Sequence, residues 1–468
     1  MAYKSINPYN NELLHTYENT TDKEVESVIS QAHELYKSWR NDDVSSRQHV
    51  LNKLAGYFEE HEQELAEVLT KEMGKRIVEA KGEVALTAMI ARYYADNAER
   101  ILQPEQVETT MGEAQIISRP LGVILSVEPW NFPYYQIIRV FAPNFMVGNP
   151  VILKHAANTP GSAVAFEKAV VAVGAPKGAF KNLFVTHDQI ANILADERVQ
   201  GLAFTGSEAG GRVLAKQAGA NLKKSSLELG GNDAFIILDD ANFDELDKII
   251  GQARLYNAGQ VCTSSKRFIV TSKNYHKVLD LLISKFDNVH VGDPLDPATQ
   301  LAPLSTVKAK QLLVDQVQKA IAGGAKLAFG EINTDLDTAH FDPIILTNMT
   351  PENPMYDTEF FGPVGQVYEV SDEAAAIELA NDSHYGLSGI VFSGDANHGA
   401  EVASQIETGT VFVNSYGGTL PELIFGGVKN SGYGRELGEE GIKTFVNQEL
   451  IVTRHTPIDL NNAGGGFV

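Results

Sequence analysis

The sequence predicts an α/β protein whose parallel sheets are covered by helices on both faces. Three observations carry that expectation. Short apolar runs of strand length alternate with amphipathic stretches of helical period. The alternation comes in two separate series along the chain. And 468 residues are too many for one ordinary hydrophobic core, which suggests two or three domains.

Taken in order, Thr21 and Glu24 have capping-box spacing. Val25, Val28, Ile29, Ala32, Leu35, Tyr36 and Trp39 then recur at helical intervals. Residues 45–101 continue as a helical pattern rich in Glu, Lys, Ala and Leu. From about 103 the texture changes, and residues 105–128 alternate apolar and polar around Ile116-Ile117 and Val123-Ile124-Leu125. The first strand series follows: Val151-Ile152-Leu153, Leu183-Phe184-Val185, Leu202-Ala203-Phe204 and Phe235-Ile236-Ile237-Leu238, with amphipathic stretches such as 160–173 and 210–220 between them. The second series runs from Phe268-Ile269-Val270 to Val411-Phe412-Val413. There is no repeat, and a short Gly-rich tail at 464–466 is the sole low-complexity segment.

Composition narrows the function classes. Apolar residues make up 43% and charged residues 21%, as in a soluble globular protein. The formal net charge of −22 argues against non-specific binding to nucleic acid or anionic membranes. No apolar run approaches a membrane span, and the N-terminus has no signal-like core, so a cytoplasmic setting is expected. The 12 histidines are scattered rather than clustered as metal ligands, and no metal site is expected. A single cysteine allows no intrachain disulfide and no Cys-based metal site, which fits a reducing compartment.

That cysteine is Cys262, in Asn257-Ala258-Gly259-Gln260-Val261-Cys262-Thr263, a loop with small residues ahead of a strand. It reads as a buried structural thiol or as a nucleophile that needs a base and an oxyanion donor elsewhere. Glu228, in Ser226-Leu227-Glu228-Leu229-Gly230-Gly231-Asn232, closes an apolar strand. Burial would raise its pKa toward neutrality and suit it to general-base work; the alternative is a strand-end carboxylate in water. Asn131 lies in the rigid segment Pro129-Trp130-Asn131-Phe132-Pro133 and offers a neutral amide donor for an alkoxide, or else caps a turn.

Together these segments resemble the aldehyde dehydrogenase superfamily almost end to end. Pro129–Pro133, Phe204-Thr205-Gly206-Ser207, Leu227–Gly231, Gly259–Cys262, Glu359-Phe360-Phe361-Gly362-Pro363 and Phe425-Gly426-Gly427-Val428-Lys429-Asn430-Ser431-Gly432 appear in the family's order. The spacings from Glu228 to Cys262 and from Cys262 to Glu359 agree as well. The resemblance implies that Cys262 attacks an aldehyde carbon, that the Asn131 amide and the Cys262 N–H hold the oxyanion, and that hydride passes to a nicotinamide. Glu228 would then activate the water that hydrolyses the thioester. It also implies cofactor contacts from Trp130, Lys154, Ala157, Gly206, Ser207, Leu229, Glu359 and Phe361. Gly206 and Ser207 would lie where a helix N-terminus favours the pyrophosphate, although the full Gly-x-Gly-x-x-Gly fingerprint is absent.

Three departures from the family pattern sharpen the reading. Lys154-His155-Ala156-Ala157 lacks the Glu that holds the ribose 2′-hydroxyl in many NAD-specific members, so NADP is expected to be accepted or preferred over NAD. Arg139 stands where members with apolar substrates carry an aromatic; it is read as a clamp for a substrate carboxylate, with a structural ion pair as the alternative. This feature resembles the short bacterial succinate-semialdehyde dehydrogenases. Val140 replaces a lysine that many relatives use in proton relay, while Glu436 matches the family's other relay carboxylate. Ser415 and Thr419 are the hydroxyls expected to bind the far end of the aldehyde.

The resemblance implies a Rossmann-like cofactor domain (1–101 and 121–230), an α/β catalytic domain (231–435) and a small β oligomerisation arm (102–120 and 436–468). It implies a homodimer or homotetramer. The expected reaction is NAD(P)-dependent oxidation of succinate semialdehyde to succinate. Glutarate semialdehyde, lactaldehyde or a cofactor-independent Cys-dependent esterase or thioesterase reaction are the alternatives.

Overall fold

The computed structural model describes residues 3–40, 42 and 44–456. The Gly-rich tail and the end of the expected arm, 457–468, lie outside the described residues.

Two sheets organise the molecule. The first has six strands in the order Gly432–Tyr433, Lys224–Glu228, Val199–Thr205, Val123–Glu128, Val151–His155 and Phe180–Asn182. All pairs are parallel except the first. The second has seven, in the order Lys326–Phe329, Ile344–Thr347, Val364–Val370, Arg267–Thr271, Ala234–Ile237, Ser388–Phe392 and Thr410–Val413, again parallel except at the first pair. Strands such as Val123–Glu128 and Arg267–Thr271 are buried along their whole length, as parallel strands covered on both faces must be.

The N-terminal helices and the helix Pro133–Val147 form one large apolar cluster against the first sheet; a second cluster lies on its other face. Two further clusters sandwich the seven-stranded sheet. A three-stranded antiparallel sheet, Val446–Thr453, Glu113–Pro120 and Glu105–Val107, stands apart from both.

Several local expectations have a visible cause. Thr21 and Glu24 form a reciprocal capping box at the start of helix Asp22–Trp39. The pattern over 45–101 resolves into helices Ser45–Glu60, Glu62–Met73 and Ile77–Ile101, and Gly74 in the left-handed region ends the second of them.

One expected strand is displaced. The run Leu183–Val185 is not a strand; the strand is Phe180–Asn182, and Leu183 makes the last ladder bond, donating its N–H to the Leu153 carbonyl. Leu183 and Val185 are apolar because they plug the core beyond the strand end. The hairpin Tyr3–Ile6 with Leu13–Tyr17 was not foreseen, because its second strand is mostly exposed and carries no apolar alternation. Residues 432–433, read from the sequence as the end of the catalytic domain, return to close the edge of the first sheet beside Glu228.

Candidate active site

Cys262 follows a strained turn. Asn257, Ala258 and Gly259 all have positive φ (52°, 52° and 72°), and such a conformation costs a non-glycine residue about 1–3 kcal/mol. The surrounding structure enforces it. Asn257 donates its N–H to Glu79 of the helix Ile77–Ile101 at 3.2 Å and its side-chain amide to the carbonyl of Asn131 at 3.0 Å. The buried Arg254 guanidinium donates to the carbonyls of Gly259 and Val364 at 3.1 and 2.7 Å. Gly259 is required here twice over, since a Cβ would collide with the Gly362 carbonyl.

The thiol is partly exposed to a chamber of about 550 Å³ whose wall includes Phe132, Tyr135, Gln136, Tyr256 and Phe425. Burial pushes the thiol up to about 12, against the pull of Lys266 and Arg139. Lys266 donates to the carbonyls of Val261 and Cys262 and pairs with Glu359 at 3.2 Å. It thereby ties the cysteine loop to Glu359.

Asn131 comes to the same loop. It precedes the helix Pro133–Val147, whose proline at the first position and N-terminal N–H groups of Tyr134 and Tyr135, held by Glu83 at 2.8 and 3.2 Å, fix the approach. The Asn131 amide donates to the Gln260 carbonyl at 3.1 Å, two residues before the cysteine.

Glu228 ends its strand with both carboxylate oxygens buried and without a hydrogen-bond partner. It is not a carboxylate pointing into water. Burial and the charge of Glu436 hold its carboxyl well above the ordinary range, and Arg139 opposes them. The backbone packs so tightly on it that a Cβ at Gly426 would stand 2.8 Å from one of its oxygens.

The Arg139 expectation needs correction. Its guanidinium does not line the chamber: the side chain is 1% exposed and pairs with Glu436. It also donates to Tyr135 Oη at 3.1 Å and Thr205 Oγ1 at 3.0 Å, and lies over the Phe425 ring at 4.6 Å. The reason is electrostatic. Buried carboxylates close by compete for the Arg139 charge, and Glu436 takes it. Glu436 is accordingly buried, and Val140, where relatives carry a lysine, packs in a small apolar cluster with Ile124 and Phe445.

Of the two hydroxyls expected at the far end of the aldehyde, Thr419 lines the chamber and hydrogen-bonds Tyr135. Ser415 does not; it is exposed, because Asn414 turns the chain with a left-handed φ of 56°. Tyr416 takes the place on the wall.

The residues expected around a cofactor gather at the C-terminal ends of the first sheet, where open α/β sheets bind nucleotides. Ser207 caps the helix Glu208–Ala220, its hydroxyl accepting from the Gly210 N–H. Gly206 is committed elsewhere, its N–H donating to the Glu228 carbonyl at 2.9 Å, so an anion here meets the first turn of the helix. Leu229 is buried beneath Gly211. Trp130 and Phe361 meet edge to face at 5.7 Å, and Glu359 accepts from the Gly231 N–H at 3.2 Å.

Lys154 has no carboxylate partner among the described residues, and burial alone pushes its pKa down. Ala157, by its carbonyl, holds the N-terminal strand through Lys4 at 3.1 Å and brings no negative charge. A half-buried ammonium without a carboxylate partner among the described residues fits a dinucleotide that carries a 2′-phosphate.

Sequence reasoning missed Lys266, Asn257, Arg254, Tyr135 and Glu128. A signal existed for Glu128, which like Glu228 is a carboxylate closing an apolar strand. Among the described residues there is no group of three or more His, Cys, Asp or Glu side chains able to hold a metal ion.

Fold and site together define an α/β enzyme with its one thiol set beside a Rossmann-like parallel sheet. The profile of the aldehyde dehydrogenase family matches residues 1–451. The chain is 42% identical, over 96% of its length and 94% of the relative's, to the succinate-semialdehyde dehydrogenase [NADP(+)] of Deinococcus radiodurans. Its fold superposes at a TM-score of 0.95, with 52% identity and 96% and 99% of the two chains covered, on a crystal structure of succinic semialdehyde dehydrogenase from Streptococcus pyogenes in complex with NADP+. A betaine aldehyde dehydrogenase from Staphylococcus aureus in complex with NAD+ is more distant, at 29% identity and a TM-score of 0.93 over 98% and 93% of the chains. This chain belongs to the aldehyde dehydrogenase family.

Proposed function

We propose that the enzyme oxidises succinate semialdehyde to succinate with NADP, through a thioester on Cys262. The observation that carries the reading is that the Asn131 amide bonds to the loop bearing Cys262, while Arg139, whose charge bears on the thiol, also bears on the buried, unpartnered carboxylate of Glu228. The names of the relatives support the substrate and the cofactor.

Cys262 attacks the aldehyde carbon, and the Asn131 amide together with the Cys262 N–H takes the negative charge that develops on oxygen. Bound NADP supplies the hydride acceptor. Lys154 would hold its 2′-phosphate, Ser207 and the first turn of the Glu208–Ala220 helix its pyrophosphate, and Glu359 its nicotinamide ribose, with Trp130, Phe361 and Leu229 packing beside it. Glu228 then removes a proton from water. The water oxygen bonds to the acyl carbon, the C–S bond breaks, and its electron pair returns to sulfur.

The far carboxylate of the substrate is received by Tyr135, Gln136 and Thr419, with Arg139 polarising the Tyr135 hydroxyl from behind. The three-stranded sheet serves as the arm of a homodimer or homotetramer.

The test is the absorbance of the reduced cofactor with succinate semialdehyde and NADP or NAD in parallel. We expect reduction that is lost in Cys262→Ala, with the higher kcat/KM for NADP. A kcat/KM for NAD tenfold or more above that for NADP overturns the cofactor assignment. Silence on every aldehyde overturns the dehydrogenase.

A further inference from the structure

Glu128, Thr205 and Glu228 close three neighbouring parallel strands at one level. Val127 pairs with Phe204 in one ladder, and Thr205 pairs with Glu228 in the next. The three side chains therefore form a row on one face of the sheet, with Ser126, Ala203 and Ser226 one step behind. Helix Pro133–Val147 lays Arg139 across that row, bonded to the middle member, Thr205, at 3.0 Å and ion-paired with Glu436. Glu128 accepts from Ser126 Oγ at 2.7 Å and is also hydrogen-bonded to Thr205; its second oxygen is buried and unpartnered.

Charge does not balance here. Three buried carboxyls face Arg139 and, at the rim, Arg435, which is bonded to the carbonyls of Gly427 and Gly434 at 3.0 and 2.7 Å. The other titratable groups around the row are neutral. Tyr135 of the same helix and Tyr94 of helix Ile77–Ile101 are pushed upward by burial, and burial pushes His155, beside Glu128 in the sheet, down to about 3. Glu436 takes Arg139, so Glu128 and Glu228 compete for what remains and one of them keeps a proton.

We propose that Glu128 is a positioning residue for the base: by sharing this cluster it sets the pH at which Glu228 loses its proton and becomes able to activate water. The inference rests on the reading of Glu228 as that base. Burial and the charge of Glu436 hold Glu128 well above the ordinary range, and its own charge in turn adds to the upward push on Glu228. Replacing it with a neutral isostere removes that push, so the base becomes available at lower pH.

The test isolates deacylation. p-Nitrophenyl acetate acetylates Cys262 as p-nitrophenolate leaves, and loss of the acetyl group is followed by intact-protein mass against pH, without cofactor. We expect Glu128→Gln to move the acid limb of the deacylation profile down by about one pH unit. Ser126→Ala removes the hydroxyl that favours the Glu128 charge, and should move the limb the same way by less, which covers the case in which Glu128→Gln does not fold. A limb that stays in place or moves up in the folded variant overturns the proposal. Glu228→Gln is the control: if it deacylates at the wild-type rate, the assignment of the base fails, whatever Glu128 does.

Discussion

At the residue scale, the arrangement around Arg139 shows how a single charge is shared out. A guanidinium next to a substrate tunnel has the right geometry to clamp a carboxylate. In this fold it is spent on Glu436, and it reaches the chamber wall through Tyr135, whose hydroxyl accepts from it, and through the ring of Phe425. The kinetic consequence follows. Tyr135→Phe should raise KM for succinate semialdehyde while leaving butanal nearly unaffected. Arg139→Ala should instead lower kcat on both aldehydes, because it leaves Glu436 buried and unpaired beside Glu228. Steady-state kinetics on the two substrates separates these outcomes, and a KM effect of Arg139→Ala confined to succinate semialdehyde would restore the direct clamp. The spacing of Arg139 from Asn131 was legible in the sequence. The competing carboxylate was not, because Glu436 lies far along the chain and is brought in only by the closing strand at 432–433.

At the scale of elements, one helix outside both sheets holds two pieces of the site. Ile77–Ile101 presents Glu79 to the Asn257 N–H and Glu83 to the N–H groups of Tyr134 and Tyr135, one helical turn apart on one face. The first stabilises the left-handed turn before Cys262; the second caps the helix that follows Asn131. Arg76 pairs with Glu79 at 3.1 Å, and Lys75 pairs with Glu83 and lies over the Phe132 ring. Removing Glu79 orphans a buried N–H in a strained turn. We expect Glu79→Ala to cost about 2–4 kcal/mol in urea unfolding and to lower kcat more than KM. Unchanged kcat in a folded variant would mean that the turn holds itself. The helical pattern of this segment was evident from composition. The catalytic consequence of its two glutamates was not, since on a sequence an i, i+4 pair of acids reads as a solvated face.

At the scale of the whole molecule, the three-stranded sheet is the element least explained by the chain alone. It pairs Val446–Thr453 with Glu113–Pro120 over eight residues, and Leu450, Val452 and Met111 are exposed at 59%, 41% and 44%. A sheet of this size with apolar residues in water calls for a partner surface. We expect the protein to run as a dimer or tetramer in light scattering, and the double variant Leu450→Lys, Val452→Lys to run smaller. A wild-type monomer would remove the arm from the proposed assembly.

The sequence by itself determined what depends on local order. The α/β class follows from alternating periods, the cap at Thr21 from a side chain three residues from its target, and the candidate trio of Cys262, Glu228 and Asn131 from motifs whose types and spacing are chemically restrictive. Tertiary structure alone decided which ionisable groups share a dry space. The row of Glu128, Thr205 and Glu228, the capture of Arg139 by Glu436 and the tie of Lys266 to Glu359 all depend on strand register and on contacts between segments distant in the chain. The physical reason is that a local pattern reports how much of a segment is buried. The ownership of a buried charge is settled by every group that reaches it, and those groups are neighbours only after the sheets have formed.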